Sequence, residues 1–396
     1  MSFIKPPAAR GRLCANLLLS ILVPALCLVA PLPAAAALPD IPIPAPPQLN
    51  AASYVLVDAD SGTLLADREA GKRVAPASLT KLMTAYVVFH ALRDDLISLE
   101  EEATVSRKAY RTPGSRMFIE INSRVSIQDL LMGMIVQSGN DASVALAEHI
   151  AGSEEVFAEM MNRYAQELGM SGSHFENTTG LPGENHYTTA RDMATLARAL
   201  INDFPEYYRW YSVREFTYNE ITQRNRNRLL WRDPTVDGFK TGHTDAAGYC
   251  LVASAVRDEM RLISVVMGSP SSRVRTDASQ ALLNYGFRFF ETHRLFAAGD
   301  VVETAKVWKG AVEAAQLGVA RDLFVTIPRG TYDRLQPLVE MPATVIAPVA
   351  EGQTLGELRV ELDDQLLAAM PLAALAPVAE GTFWQRLSDE IMLWFE

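Results

Sequence analysis

The sequence predicts an α+β fold in which helices pack on an antiparallel sheet and a smaller β-rich region follows; three observations carry that expectation. Mostly apolar stretches with helical patterning occupy 76–92, 127–136 and 141–150. Two apolar runs, 248–256 and 261–268, are separated by the polar Arg257-Asp258-Glu259, the pattern of a hairpin buried in a core. After Thr292 the texture changes to short β-rich runs divided by Gly and Pro turns. With 396 residues, 49% of them apolar, the chain can bury a sizeable core across two domains and extra segments.

In chain order, residues 1–37 read as an export signal peptide. Arg10 and Arg12 precede an uncharged stretch from Leu13 to Ala30, and Ala34-Ala35-Ala36-Ala37 supplies small residues for cleavage. Pro24 and Pro31 keep the apolar run below the roughly twenty residues of a membrane span, which favours a removed signal over a retained anchor. Leu26 before Cys27 is too large for a lipoprotein cleavage site. Residues 38–50 form a proline-rich leader, expected to be an extended surface linker. Ser53–Asp58 and Thr63–Ala66 flank Asp58-Ala59-Asp60-Ser61-Gly62, a hairpin turn that lacks the later oxygen ligands of a calcium loop. Pro76–Leu92 carries proline in its first turn, where the missing N–H costs nothing, and this places Ser78 at the N-terminal end of a buried helix. A second helix, 127–136, breaks at Ser138-Gly139-Asn140 before 141–150 resumes, so this motif is an interhelical loop. Lys240-Thr241-Gly242 belongs on a strand beside the 248–268 hairpin, and 278–290 is the closing helix.

Beyond it, 301–307, 323–327, 344–347 and 357–362 predict a small β-sandwich without a catalytic constellation. At the end, Phe383, Trp384, Leu387, Ile391, Met392, Trp394 and Phe395 share one helical arc opposite Gln385, Arg386, Asp389 and Glu390. Only Leu393 violates the division. Such a helix suits the interface of a membrane. The predicted division is therefore signal peptide 1–37, leader 38–50, catalytic domain 51–291, β-sandwich 292–379 and amphipathic anchoring helix 380–396.

Composition excludes several classes. A net charge of -11 and a pI near 5.2 argue against a nucleic-acid partner, whose phosphates demand a basic surface. The one basic cluster, Arg224, Arg226, Arg228 and Arg232, is interleaved with Asn225 and Asn227; it reads as a polar loop, with the rim of a substrate site as the alternative. Cys14 and Cys27 leave with the signal, so only Cys250 remains and neither an intramolecular disulfide nor a cysteine zinc site can form. The six histidines lack H-x-x-x-H spacing, with His90 and His149 in helical apolar context, and no Gly-rich nucleotide loop occurs. No metal and no cofactor is expected.

Three ordered motifs carry the chemistry: Ser78-Leu79-Thr80-Lys81, Ser138-Gly139-Asn140 and Lys240-Thr241-Gly242. Any one of them is weak, since an S-x-x-K arises by chance roughly once in a chain of this length. Order, spacing and context give the trio its weight. A serine hydroxyl is a poor nucleophile, and Lys81, one helical turn on, can accept its proton if the amine is neutral. Burial and a second cation, for which Lys240 is the candidate, lower a lysine pKa. Ser138 can relay a proton to the leaving group, and the Asn140 amide can bond a substrate peptide group. Lys240 and Thr241 offer charge and a hydroxyl to a carboxylate, while Gly242 admits close approach of a substrate backbone. The Ser78 amide at a helix N-terminus suits one position of an oxyanion hole.

With these motifs, Asn225-Arg226-Asn227, Leu229-Leu230-Trp231, Val236-Asp237-Gly238, Lys240-Thr241-Gly242-His243-Thr244, Arg261-Leu262-Ile263-Ser264 and Gly286-Phe287-Arg288-Phe289-Phe290-Glu291-Thr292 give the chain a close resemblance to a family. It resembles the low-molecular-mass penicillin-binding proteins (class C, peptidase family S11 type), which act as serine-type D-alanyl-D-alanine carboxypeptidases. The resemblance implies a penicillin-binding/β-lactamase-like transpeptidase domain, a C-terminal β-sandwich and an amphipathic helix. It implies Ser78 as acylated nucleophile, Lys81 as general base, Ser138 and Asn140 as second motif, and Lys240, Thr241 and Gly242 as third. It adds the His243 backbone amide as second oxyanion donor and Arg275 as a holder of the substrate's terminal carboxylate. Asn177-Thr178-Thr179-Gly180-Leu181 and Ala190-Arg191-Asp192-Met193 look like the family's loop bordering the site, with Asp192 orienting neighbours. The family's anchoring helix is usually basic, whereas here Asp389, Glu390 and Glu396 outnumber Arg386, so membrane binding would rest on apolar area.

The expected function is removal of the terminal D-alanine from peptidoglycan stem pentapeptides through a Ser78 acyl-enzyme that β-lactams trap. The expected location is the periplasmic side of the inner membrane, in cell-wall organisation and cell shape. The alternatives are a β-lactamase, a DD-endopeptidase and a non-catalytic penicillin-binding scaffold. No glutamate here has the E-x-x-L-N setting of a lactamase, Glu176 and Glu184 being the nearest candidates.

Overall fold

Alternation of apolar side chains between two cores builds the centre of the molecule. In the computed structural model, which describes residues 43–395, five antiparallel strands lie in the order Leu64–Arg68, Ser53–Asp58, Met260–Ser269, Gly248–Arg257 and Val236–Thr244. Val55, Val57, Val252, Ile263 and Val265 face a helical layer, and Leu56, Leu251, Ala253, Leu262 and Val266 face the long helix Ser272–Phe289. Both faces are covered, which is why these strands read as nearly unbroken apolar runs. Each fully buried aliphatic side chain contributes roughly 1.5–3 kcal/mol, so this double burial dominates stability.

The helical layer contains Thr80–Arg93, Asn140–Ala151, Glu154–Glu167 and Ala190–Asp203. Thr80–Arg93 is apolar on nearly all sides and buried almost throughout, as a central helix must be. Side-chain caps start several helices; among them, Ser153, Thr189 and Ser271 accept from the backbone N–H of Val156, Asp192 and Val274.

Several boundaries differ from the sequence reading. The helix expected from Pro76 begins with a 3-10 turn, Ala77–Leu79, in which Ala77 has φ +49°, and becomes α-helical only at Thr80. The helix at 127 turns into a π-helical segment, Gly133–Gln137, ended by Ser138 at φ +69°. The closing helix starts six residues earlier than expected because Ser271 caps it. The leader is less detached than a surface linker: Ile43 and Leu49 pack on the second core, and Tyr285 donates to the Pro44 carbonyl at 2.9 Å. The signal segment expected at 1–37 lies outside the described residues.

Past Phe290 the chain is mostly strand. Six strands run in the order Leu335–Glu340, Thr354–Leu362, Gln365–Ala374, Ala314–Gly318, Val301–Trp308 and Val345–Ile346, and Phe290–Phe296 pairs with Leu323–Pro328. Leu317, Val325, Leu358, Val360 and Leu372 fill their common core. At the junction with the central sheet, the buried Asp58 carboxylate accepts from Thr292 (2.6 Å) and Ser61 (2.9 Å), and Ser61 bonds Thr326 (2.6 Å). The last helix, Phe383–Leu393, begins with a Thr382/Gln385 capping box.

Candidate active site

Three segments distant in sequence meet around a cavity of about 960 Å³ lined by Ser78, Ser138, Thr241, Gly242, His243 and Arg275. Lys81, Asn140 and Lys240 are buried beside it. The 3-10 turn holds Ser78 at the cavity wall, and Lys81, three residues on in the first α-helical turn, brings Nζ to 3.3 Å from Ser78 Oγ. Lys81 is 1% exposed and donates to Asn140 Oδ1 (2.7 Å) and to the Thr179 carbonyl (2.6 Å). Burial, and second the Arg226 guanidinium, push its pKa down to about 7, while Asp141 and Glu154 act in the opposite sense. Arg226 thus joins Lys240, the cation expected from sequence: the two buried ammonium groups of Lys81 and Lys240 repel one another. Lys240 has its own pKa depressed by burial first and then by Lys81, Arg226 and Arg275.

Ser138 sits in the left-handed region, and its buried hydroxyl has no hydrogen-bond partner in the protein. An orphaned hydroxyl on a cavity wall is set to bond whatever enters. Asn140 is more committed than expected: its oxygen serves Lys81, and its nitrogen donates to the Pro113 carbonyl at 2.6 Å. One amide N–H remains. Next to it, the fully buried Asp141 accepts from the backbone N–H groups of Met117 and Phe118, both at 3.0 Å, and so shapes the 113–119 loop against the motif. Sequence reasoning missed Asp141, although a carboxylate directly after Ser-Gly-Asn was its signal.

The third motif occupies the edge strand Val236–Thr244. Gly242 keeps this contact loose: a Cβ would stand a tight 3.1 Å from the Pro76 oxygen and 3.3 Å from the Ser78 nitrogen. His243 stacks on Tyr249 with ring centroids 3.9 Å apart. Arg275, only 6% exposed, donates to the carbonyls of Gly242 (2.9 Å) and Cys250 (3.2 Å), and its Nε is buried without a partner. Burial lowers its pKa to about 10, so it is a cation at neutral pH.

The basic cluster divides by alternating burial, with Asn225 and Asn227 buried and Arg224, Arg226 and Arg228 exposed. Asn225 and Asn227 point inward, donating to Val213 and Gly238 carbonyls at 3.0 and 3.1 Å, while Arg224, Arg226 and Arg228 line the cavity mouth. No carboxylate is among the lining residues, so the mouth is cationic in a protein of net negative charge. Arg232 is elsewhere, paired with Asp277.

The 177–188 loop backs the nucleophile. Besides the Thr179 carbonyl on Lys81, the Thr178 carbonyl accepts from Thr84 at 2.8 Å, and His186 Nε2 lies 2.8 Å from Thr80 Oγ1. Neither Thr179 nor His186 carried a signal beyond its place in this loop. Glu176 accepts from Asn185 N–H, and neither it nor Glu184 lines the cavity. Asp192 accepts from Gly172 N–H (3.0 Å) and Ser173 (2.6 Å), orienting a turn rather than a cavity residue.

Residues 41–271 match the peptidase S11 family, described as D-alanyl-D-alanine carboxypeptidase, and residues 290–380 match the penicillin-binding protein 5 C-terminal domain. The chain is 44% identical to D-alanyl-D-alanine carboxypeptidase DacC of Escherichia coli over 88% of its length and 89% of that protein's. The structure is similar to penicillin binding protein 5 from Haemophilus influenzae, with a TM-score of 0.82 and 43% identity over 85% of this chain and 100% of that one. It also resembles penicillin-binding protein D2 from Listeria monocytogenes in its ampicillin-bound form, with a TM-score of 0.57 and 30% identity over 61% of this chain and 98% of that one.

Proposed function

The chain belongs to the D-alanyl-D-alanine carboxypeptidases of the peptidase S11 family, and from that premise we propose that it removes the terminal D-alanine of peptidoglycan stem pentapeptides with Ser78 as the acylated nucleophile. The observation that carries the assignment of Ser78 is its position at 3.3 Å from an amine that is buried and held near neutrality. Lys81 takes the Ser78 proton as Oγ attacks the penultimate D-alanine carbonyl. The Ser78 and His243 amides receive the oxyanion. The unpartnered Ser138 hydroxyl passes a proton to the departing D-alanine amine. Lys240, Thr241 and Arg275 hold its carboxylate, and water then releases the acyl group. A β-lactam opens on the same serine but keeps its leaving group tethered, so the adduct persists.

Mass analysis of purified muropeptides tests this reading: loss of one alanine is expected, with no loss in Ser78→Ala and no penicillin adduct on that variant. Splitting of crosslinked dimers instead would assign an endopeptidase. Rapid penicillin turnover would assign a lactamase, against which stands the lack of a carboxylate among the cavity-lining residues.

The proposed division of labour is a catalytic domain at 51–291, a non-catalytic β-domain at 292–379 and an anchoring helix at 380–396, in a protein exported to the outer face of the cytoplasmic membrane. Among the described residues no helix is long and apolar enough to cross a membrane. The last helix instead supports surface binding. Asp389 accepts from the Lys309 backbone N–H at 2.5 Å, Glu390 pairs with the Lys309 ammonium, and Leu393 is half-buried. Asp389, Glu390 and Leu393, the one apolar residue off the arc, therefore face the body. Trp384, Ile391, Trp394 and Phe395 stay exposed, at 74%, 53%, 81% and 86%. Sedimentation with anionic lipid vesicles should carry the full chain down and leave a chain ending at Gly381 in solution.

A further inference from the structure

We propose that His186 is a positioning residue for the oxyanion hole, acting through Thr80 on the peptide bond between Ala77 and Ser78. The inference rests on Ser78 being the acylated residue, and it adds a part that none of the three motifs contains. Hydrogen-bond chemistry settles the direction of every link. The Glu176 backbone N–H donates to His186 Nδ1 at 2.9 Å, so Nδ1 is an acceptor and the ring proton is on Nε2. Nε2–H therefore donates to Thr80 Oγ1 at 2.8 Å. The single Thr80 hydroxyl proton is then directed to the Ala77 carbonyl, 2.9 Å away, where the Thr80 backbone N–H also points.

That carbonyl and the Ser78 N–H belong to one planar trans unit and point in opposite directions, so anchoring the oxygen aims the N–H. The surroundings agree. A Cβ on Gly180 of the 177–188 loop would fall 1.7 Å from the Ala77 oxygen but 2.9 Å from the Ser78 nitrogen, and one on Gly242 of the edge strand would fall 3.3 Å from that nitrogen. The peptide is thus clasped with its oxygen toward the loop and its nitrogen toward the strand that lines the cavity. It needs an outside hold, because Ala77 has φ +49°, a conformation its side chain disfavours. His186 is 5% exposed, and burial lowers its pKa to about 4, which keeps Nδ1 free to accept near neutral pH.

The test measures single-turnover acylation of the full chain by a fluorescent penicillin, separating the binding constant from the acylation rate, together with thermal melting. His186→Leu and Thr80→Val should each slow acylation roughly 10- to 100-fold with binding changed far less, since a misaimed oxyanion donor acts in the transition state. His186→Gln should restore most of the rate: its amide N–H can donate to Thr80 and its oxygen can accept from Glu176. The double variant should be no slower than Thr80→Val alone. Acylation of Thr80→Val at the unmodified rate overturns the proposal, even if His186→Leu fails to fold. So does a His186→Gln variant that melts normally yet acylates as slowly as His186→Leu. Adduct on a residue other than Ser78 in the unmodified chain would instead overturn the reading on which the proposal rests.

Discussion

The peptidase sheet and the β-domain that follows it are held by the same apolar alternation, but they differ in what else they bury. Around the first lie Lys81, Asp141, His186, Lys240 and Arg275, all nearly inaccessible; beyond Thr292, among the described residues, the buried polar residues are Thr326 and Thr331. Buried charge is costly unless partnered, and a domain that only needs to fold avoids it. The difference teaches where chemistry is located: the strain at Ala77 and Ser138 and the orphaned Ser138 hydroxyl fall in the same small region as the charges.

The most severe way to break this contrast is to remove the base. Lys81→Met should lower acylation per folded molecule by about 10²–10⁴-fold, with a melting temperature lowered by the Asn140 Oδ1 and Thr179 carbonyl that it leaves without their donor. An unaltered rate would show that the buried charges are structural. Next in size, Leu358→Ala in the β-domain core should cost about 2–5 kcal/mol of that domain's stability, read by calorimetry. The acylation rate per folded molecule should not change, and a parallel loss would mean that the two regions are one functional body. The smallest effect sharpens the electrostatics. The acid limb of acylation should bend near pH 7, since Lys81 must be neutral to act and is protonated below that value. Arg226→Gln removes a neighbouring cation and should move the bend to higher pH, changing the rate by less than about tenfold at any pH.

What could be read from sequence was what is local. Ser78 and Lys81 share a helical turn, Gly242 marks a close approach, and the Trp-rich arc of the last helix is visible in its spacing. What could not be read depends on tertiary distance or backbone conformation. Arg226 acts on a lysine far away in sequence, and the left-handed turn at Ala77 has no glycine to announce it. The leader's packing through Ile43 was hidden because proline-rich composition signals extension, which is compatible with lying along a core. The pairing of Asp389 and Glu390 with Lys309 is likewise a tertiary contact across some eighty residues, invisible in the spacing of the helix.

The buried amine has a consequence for how the protein comes to be native. An unfolded chain carries Lys81 with its ordinary pKa of 10.5, and the native one holds it near 7. Between those values collapse expels a hydrogen ion, so mild alkali pulls the equilibrium toward the native form. Below the window that dependence on acidity vanishes and the full electrostatic burden stays; above it, neither form is charged there. Acquisition of the native state is thereby tied to the acidity of the medium.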